Sequence, residues 1–338
     1  MTRSSIPDLP SWVKLVYLAE GAANVVYRFV STDITPDPDQ STPSAPTGDC
    51  ADLHSLKGKL LRLRKDTPAN VPYREIAQNF DTVIRPLFDP HELVDQSLVR
   101  LPLGLIHHCN ERLRLAEETG ARAQKRHGSY LSLTEPFGLL VTDMTTDHHP
   151  DSNLAELKPK WLLQSPSAPQ DARRCRTCAL RGMRNIEARR QGQKEPRSFC
   201  PLNLVSENYE DVFAATADIK GCPDRTRLAK ILFRHPLLVK LLAHQKAHQR
   251  VGLNGPLGLT QEMSLDMTLR DCTVYIKITQ DSEIDFRLGD LDLKSSAGGK
   301  AQYWRDLEIQ LIDGGWYHGR NESDPSDRCL LQRSPTPK

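Results

Sequence analysis

Ala155-Glu156-Leu157-Lys158-Pro159-Lys160-Trp161 places two lysines and a carboxylate on a segment stiffened by proline. In an extended chain successive side chains alternate, so Glu156, Lys158 and Lys160 share a face. Pro159 cannot donate to a ladder, which predicts an edge strand or a strand end. Lysine is a compact point charge suited to phosphate oxygens, and a nearby carboxylate holds a lysine in register or faces a ligand. Taken alone such a segment is usually a solvated face. Three other segments give it meaning.

Glu20-Gly21-Ala22-Ala23-Asn24 lies between the alternating run Trp12 to Leu18 and a second strand-like run ending at Phe29. Small residues there let backbone N–H groups approach a phosphate closely, although neither a P-loop nor a dinucleotide fingerprint is present. In Gly58-Lys59-Leu60-Leu61-Arg62-Leu63-Arg64-Lys65 the period of two puts Arg62 and Arg64 on one face and Leu61, Leu63 and Lys65 on the other. A cation on a strand soon after a small-residue loop is where kinase-like folds contact ATP phosphates. Finally, Arg270-Asp271-Cys272 leads into one apolar strand, and Phe286 to Gly289 leads into Asp290-Leu291-Asp292-Leu293-Lys294. Aspartates at strand ends serve as base and magnesium ligand in phosphotransferases, and also occur as ordinary turn residues.

The 338 residues, 38% of them hydrophobic, suffice for one large or two modest domains. Net charge is only +2, so a polyanionic ligand has to be met by cations gathered locally. Residues 158–197 supply them: Lys158, Lys160, Arg173, Arg174, Arg176, Arg181, Arg184, Arg189, Arg190, Lys194 and Arg197. Aromatic residues are 6% of the chain and scarce in this stretch, which argues against stacking on nucleic acid. No apolar run reaches the length of a membrane span, so no membrane partner is expected. The N-terminus has no signal-peptide core, which predicts a soluble intracellular protein. Reduced thiols or a metal site are then expected of the cysteines. Cys175-x2-Cys178 has zinc-knuckle spacing, with Cys200 a candidate third ligand. Cys222, His148, His149, His235, His244 and His248 compete for the fourth place. Cys50, Cys109, Cys272 and Cys329 read as isolated free thiols.

Composition predicts an N-terminal part, 1–145, interrupted by a Pro/Ser/Asp-rich loop at 32–49 and followed by a helix near Tyr73 to Phe80 and a polar segment from Glu111 to Gly128. The remainder, 146–338, carries the lysine segment, the cysteine region, a helical stretch from about Arg225 to His248 and the aspartate-bearing strands.

In order along the chain, Glu20-Gly-Ala-Ala-Asn24, Leu61-Arg-Leu-Arg-Lys65, Glu156-Leu-Lys-Pro-Lys160, Cys175-Arg-Thr-Cys178, Cys200-Pro-Leu-Asn203, Arg270-Asp-Cys272 and Asp290-Leu-Asp-Leu-Lys294 resemble the motif series of the inositol-pentakisphosphate 2-kinases, of fungal type, from about residue 12 to 305. The resemblance implies an α+β, two-lobed, kinase-like fold. It places ATP and substrate between an N-terminal β-rich lobe and a larger C-terminal lobe. The implied reaction transfers phosphate from ATP, with Mg2+, to the axial 2-hydroxyl of inositol 1,3,4,5,6-pentakisphosphate, giving phytate. A monomer in the nucleus or cytoplasm, not bound to nucleic acid, is expected.

Carried over residue by residue, the resemblance has Gly21, Ala22, Ala23 and Asn24 cover the ATP phosphates with Arg62 in contact. Asp143 and Glu156 lie near the adenosine, Asp290 holds Mg2+, Asp271 takes the proton and Lys158 sits at the transferring phosphate. Lys160, Arg184, Lys294, Lys300 and Tyr303 bind the inositol phosphate with Arg126, for which Arg122 is the alternative. Arg184 stands where most members have a lysine preceded by a His-Gln pair. The zinc site of plant members has no counterpart here; any zinc on Cys175, Cys178 and Cys200 would be structural, because phosphoryl transfer needs no open coordination position.

Overall fold

The computed structural model describes residues 6–30, 56–67, 71–146, 152–195, 197–255, 260–279, 283–294, 300–319 and 329–332. The expected loop at 32–49, Cys50, His148 and His149 lie outside them. Within the described residues the protein is α+β. Met1–Thr82 with Val94–Asp143 forms one compact unit, and Val83–Leu93 with Met144–Lys338 forms the other.

The first unit is built on a five-stranded antiparallel sheet in the order β1-β2-β3-β5-β4: β1 Leu15–Glu20, β2 Asn24–Phe29, β3 Lys59–Arg64, β4 Gln96–Arg100 and β5 Phe137–Thr142. Alternation along β2 and β3 buries Val25, Tyr27, Leu61 and Leu63 in one cluster with Cys109 and Leu113. Those two belong to helix α2, Leu105–Glu118, following α1, Tyr73–Asn79. The segment read as polar from Glu111 thus begins inside a helix. Its leucines, arginines and glutamates favour helix, and its buried face carries Asn110, whose amide bridges both backbone groups of Leu131 at 2.8 and 3.0 Å.

The second unit has a three-stranded antiparallel sheet, β6 Asn153–Leu157, β7 Thr273–Ile278 and β8 Ile284–Gly289, in that order. Helices surround it: α3 Arg176–Arg190, α4 Tyr209–Ala215, α5 Arg225–Leu232, α6 Pro236–Ala247, α7 Gln261–Thr268 and α8 Lys300–Asp313. The helical stretch expected from Arg225 to His248 is two helices, α5 and α6. Arg234 adopts a left-handed φ of 54° and Pro236, which has no N–H to donate, starts the second helix. Residues 83–93 are held in this unit by α6, where Lys240 reaches Asp89 and Glu92 at 2.7 and 2.6 Å and His244 Nε2 meets the Leu87 carbonyl at 2.8 Å.

Candidate active site

β6 is an edge strand and ends at Leu157, two residues before Pro159. The chain then turns through buried Pro159 to Lys160, whose φ is 53°. The lysines therefore do not share a face by strand alternation. They converge through the turn. Lys158 Nζ donates to the Asp271 carbonyl at 2.8 Å and to Asp290 Oδ2 at 2.7 Å, while Lys160 Nζ reaches Asp271 Oδ1 at 2.6 Å. Lys294 Nζ closes the set on Asp271 Oδ2 at 2.8 Å. Asp271 lies just before β7 and Asp290 just after β8, so the pairing of these neighbouring strands brings the carboxylates together.

Asp290 also has a left-handed φ, 56°, which ends β8 and breaks the alternation that would have put Asp290 and Asp292 on one face. Burial alone would push the Asp271 carboxyl up, but hydrogen bonds from Lys160 and Lys294 outweigh it and hold the pKa at about 2. Burial likewise disfavours charge on Lys158, yet its hydrogen bond to Asp290 raises its pKa. The result is a knot of three lysines on two aspartates, with the cations in excess by one.

Asp271 and the three lysines border a cavity of about 890 Å3, within the range of about 300–1,000 Å3 usual for small-molecule sites. Its lining joins Lys158, Lys160 and Lys294 to Arg176, Arg181, Arg184, Lys220, Arg270 and Lys300, against only Glu156, Asp218 and Asp271 as acids. Tyr303, half-exposed on α8, and Trp161 are among its aromatic lining residues. Glu156, which the resemblance assigns to the adenosine, is exposed on β6 and lines this same basic cavity.

Trp161 organises one wall. The guanidinium of Arg176 lies 4.4 Å from one of its ring centroids and that of Arg270 4.8 Å. Arg176 is fixed from behind by the fully buried Glu308, at 2.6 Å, which also accepts from Ser165 and Tyr317 at 2.6 Å each. Arg270 donates to the carbonyls of Asp266 and Gln245, and burial lowers its pKa to about 10. Lys220 arrives because Gly221, at φ 90°, presses against β6. A Cβ there would stand 1.8 Å from the Leu154 carbonyl oxygen, which only glycine avoids.

Of the sequence-local cations, Lys158, Lys160, Arg176, Arg181 and Arg184 line the cavity. Arg174 is buried, and Arg189 pairs with Glu195 at the surface. Lys220 and Arg270 carried no local signal as cavity residues, since their places depend on Gly221 and on the carbonyls around α7.

In the first unit Gly21, Ala22 and Ala23 form the turn from β1 to β2, closed by the Gly21 N–H on the Asn24 carbonyl at 2.9 Å. Space beside Gly21 is open. Lys65, the residue just after β3, is fully buried; it pairs with Glu20 and donates to the Gly21 carbonyl at 3.0 Å. Burial would raise the Glu20 pKa, but Arg122 and Lys65 pull it to about 2. Arg122 is consumed in that network, bonded to Glu20 and Glu117, whereas Arg126 in the turn Gln124–Arg126 is partly exposed. The Arg62 guanidinium lies over the Tyr73 ring, whose hydroxyl donates to Asn24 Oδ1 at 2.9 Å, so it is tied to the turn. Glu75 is exposed; the buried lysine–glutamate pair of this unit is Lys65–Glu20. Asp143 follows β5 and its N–H donates to the Gly58 carbonyl at 2.8 Å.

The cysteine region resolves differently from its spacing. Cys175, Cys178 and Cys200 meet Cys329, with all four sulfurs within 4.8 Å of one another and all four residues buried. Cys329 is therefore not an isolated thiol. Cys222 is apart, donating to the Asp224 carbonyl, and His235 and His244 face Phe286 and Leu87 instead. Cys109 and Cys272 are buried away from the cluster.

A family model described as inositol-pentakisphosphate 2-kinase matches residues 17–310. The inositol-pentakisphosphate 2-kinase of Yarrowia lipolytica is 31% identical over 352 aligned residues, covering 97% of this chain and 99% of that protein. The protein of the same name from Debaryomyces hansenii is 23% identical over 375 aligned residues, covering 87% and 90%. With the family model spanning most of the sequence and a relative of that name aligned over nearly its whole length, the chain belongs to the inositol-pentakisphosphate 2-kinases.

Proposed function

We propose that this chain transfers the terminal phosphoryl group of ATP to the 2-hydroxyl of inositol 1,3,4,5,6-pentakisphosphate, giving the hexakisphosphate. The observation that carries this reading is the convergence of Lys158, Lys160 and Lys294 on Asp271 at a cavity dense in cations, in a chain whose net charge is only +2. A ligand carrying many phosphates matches such a lining; a singly charged one would leave most of it unpaired.

In the ligand-free state the lysines neutralise Asp271. A polyphosphate offers them stronger partners, and as they turn to it the carboxylate loses the donors that hold its pKa near 2. Asp271 then accepts the 2-hydroxyl proton as the new O–P bond forms and the bond to the departing ADP oxygen breaks. Lys158 stabilises charge on the moving phosphoryl group. Lys160, Lys294, Arg184, Lys300 and Tyr303 orient the inositol ring, which is worth as much here as proton transfer.

The residues fit MgATP. Asp290 is a hard oxygen donor whose side chain is 49% exposed, leaving room for the waters magnesium retains. Magnesium bound there would neutralise charge on the donor's phosphates. Within the first unit, the turn from Gly21 to Asn24, pinned by Lys65, offers backbone N–H groups suited to phosphate beside Arg62. By the same reading the sheet-rich and helical units correspond to the two lobes of a kinase-like fold, and the enzyme is a monomer of the nucleus or cytoplasm.

Incubation with ATP, Mg2+ and a panel of inositol pentakisphosphates, with separation of the products, tests the reading. Hexakisphosphate from the isomer with a free 2-hydroxyl alone supports it, and no turnover of that isomer overturns it. Asp290→Ala is expected to raise the magnesium concentration for half-maximal rate at least tenfold, the lower end of the ~10–100-fold that even an outer-shell loss costs. Asp292→Ala should change it little. Equal shifts in a magnesium titration would remove Asp290 from this role.

A further inference from the structure

We infer that Gln245, a fully buried amide on α6, is a positioning residue that holds Lys160 and Asp271 in register for phosphoryl transfer. Its Oε1 accepts the Leu162 N–H at 2.9 Å, and its Nε2 donates to the carbonyls of Lys160 at 2.8 Å and Leu269 at 2.9 Å. One backbone donor and two backbone acceptors face it, so a single orientation of the amide satisfies all three. Its own carbonyl, in the last turn of α6 beyond the reach of helical N–H groups, accepts from the Arg270 guanidinium at 2.8 Å.

The two stretches that Gln245 joins are those that form the lysine–aspartate contact. Residues 160–162 follow β6, and residues 269–270 lie between α7 and Asp271. Lys160 Nζ meets Asp271 Oδ1 across this join at 2.6 Å. Neither residue belongs to a helix or strand, so no ladder fixes them. Lys160 in addition stands at φ 53°, a conformation that a residue other than glycine keeps only where its surroundings over-determine it. Gln245 does this from two sides, taking the Lys160 carbonyl and the N–H two residues on. The Leu269 carbonyl lies past the end of α7, and its other donor is the weak Cys272 thiol at 3.6 Å.

Gln245 does not line the cavity, so it acts on the reaction through Lys160 and Asp271. The assignment rests on the reading of Asp271 as base and Lys160 as substrate contact.

Gln245→Met keeps the side chain's length and volume but has no N–H and only a weak acceptor. In the folded variant kcat should fall and KM for inositol pentakisphosphate should rise. Together they should lower kcat/KM by about 10- to 100-fold, the order that a misplacement of ~1 Å costs, while affinity for MgATP stays within a few-fold. Gln245→Glu keeps the shape and decides the matter where the first variant does not fold. Ionised, the substituted carboxyl turns only acceptors toward two carbonyls; protonated, it regains one donor, and burial favours that form. The ratio of variant to wild-type kcat/KM should therefore rise as pH falls. The charged and titratable groups near it, Lys160, His244, His248, Asp266, Arg270 and Asp271, are common to both proteins and cancel in the ratio. Wild-type kcat and KM in folded Gln245→Met, or a pH-independent ratio for Gln245→Glu, overturns the positioning role alone. An equal loss of MgATP affinity marks general damage to the fold and overturns it as well. Wild-type protein that forms no hexakisphosphate overturns the reading of the cavity, and the role of Gln245 falls with it.

Discussion

Asp271→Asn is expected to lower turnover by about 10²–10⁴-fold, the usual worth of general acid–base assistance, while ATP affinity stays within a few-fold. The change removes the acceptor that Lys160 and Lys294 hold ionised at the cavity, but keeps the side chain's shape. It also removes the lysines' internal competitor for phosphate, so inositol pentakisphosphate should bind the variant at least as tightly as wild type. That combination separates a base from a structural counter-charge. Near wild-type turnover at saturating substrate would discard the base assignment, and a variant that binds neither ligand would show Asp271 to be structural. The pH signature has a definite sign. The Asp271 pKa is depressed in the folded chain, so its contribution to stability is present above the unfolded value of about 3.9 and is lost as pH falls through about 2. Asp271→Asn should therefore alter the acid end of the stability profile and leave its slope between neutral and alkaline pH unchanged.

The second large effect is expected from Lys160, Arg184 and Lys294. Each charge-assisted contact to a phosphate is worth roughly 1.5–3 kcal/mol, or about 10- to 150-fold in binding, so single changes to Ala should weaken inositol pentakisphosphate by that order and spare the ATP analogue. Lys160 and Lys294 exchange Asp271 for phosphate on binding, so their values should fall toward the lower end. Arg184 is exposed on α3 and should show nearer the full value. Residues that merely decorate a solvated surface change affinity by no more than ~0.5 kcal/mol. Unchanged inositol phosphate affinity in all three folded variants, by calorimetric titration, would sink the substrate assignment.

Much of the site was legible because its chemistry sits in contiguous motifs. The segment Glu156 to Lys160, the turn Gly21 to Asn24 and the aspartates flanking β7 and β8 are each local in sequence, and strand pairing brings the aspartates together. What could not be read depends on backbone angles and distant packing. The left-handed conformations of Lys160 and Asp290 replace the expected alternation with turns, and no rule of periodicity forecasts a positive φ at lysine or aspartate. Lys65 fell on the leucine face of its segment, where a cation is unexpected, and it is buried against Glu20, because a partner distant in sequence can offset its burial. Cys329 stood alone in the sequence, since its partners lie well over a hundred residues earlier and only the folded chain returns it to α3. Pro236, in contrast, was a visible stop signal inside the stretch read as one helix.

The knot of three lysines and two aspartates around Asp271 bears on how ionic strength acts on this protein. When a polyanion binds bare surface cations, it releases small counterions, and log K falls with log salt in proportion to the contacts made. Here part of the counterion shell is covalent: Asp271 and Asp290 already occupy Lys158, Lys160 and Lys294, and they cannot diffuse away. Binding at these lysines therefore exchanges one fixed anion for another, with little release of mobile ions. The salt slope for inositol pentakisphosphate should accordingly be shallower than the number of cations touching it, and should steepen when Asp271 is neutralised. A binder that holds its own counter-charges in this way gives up part of its affinity in dilute buffer and keeps more of it at physiological ionic strength.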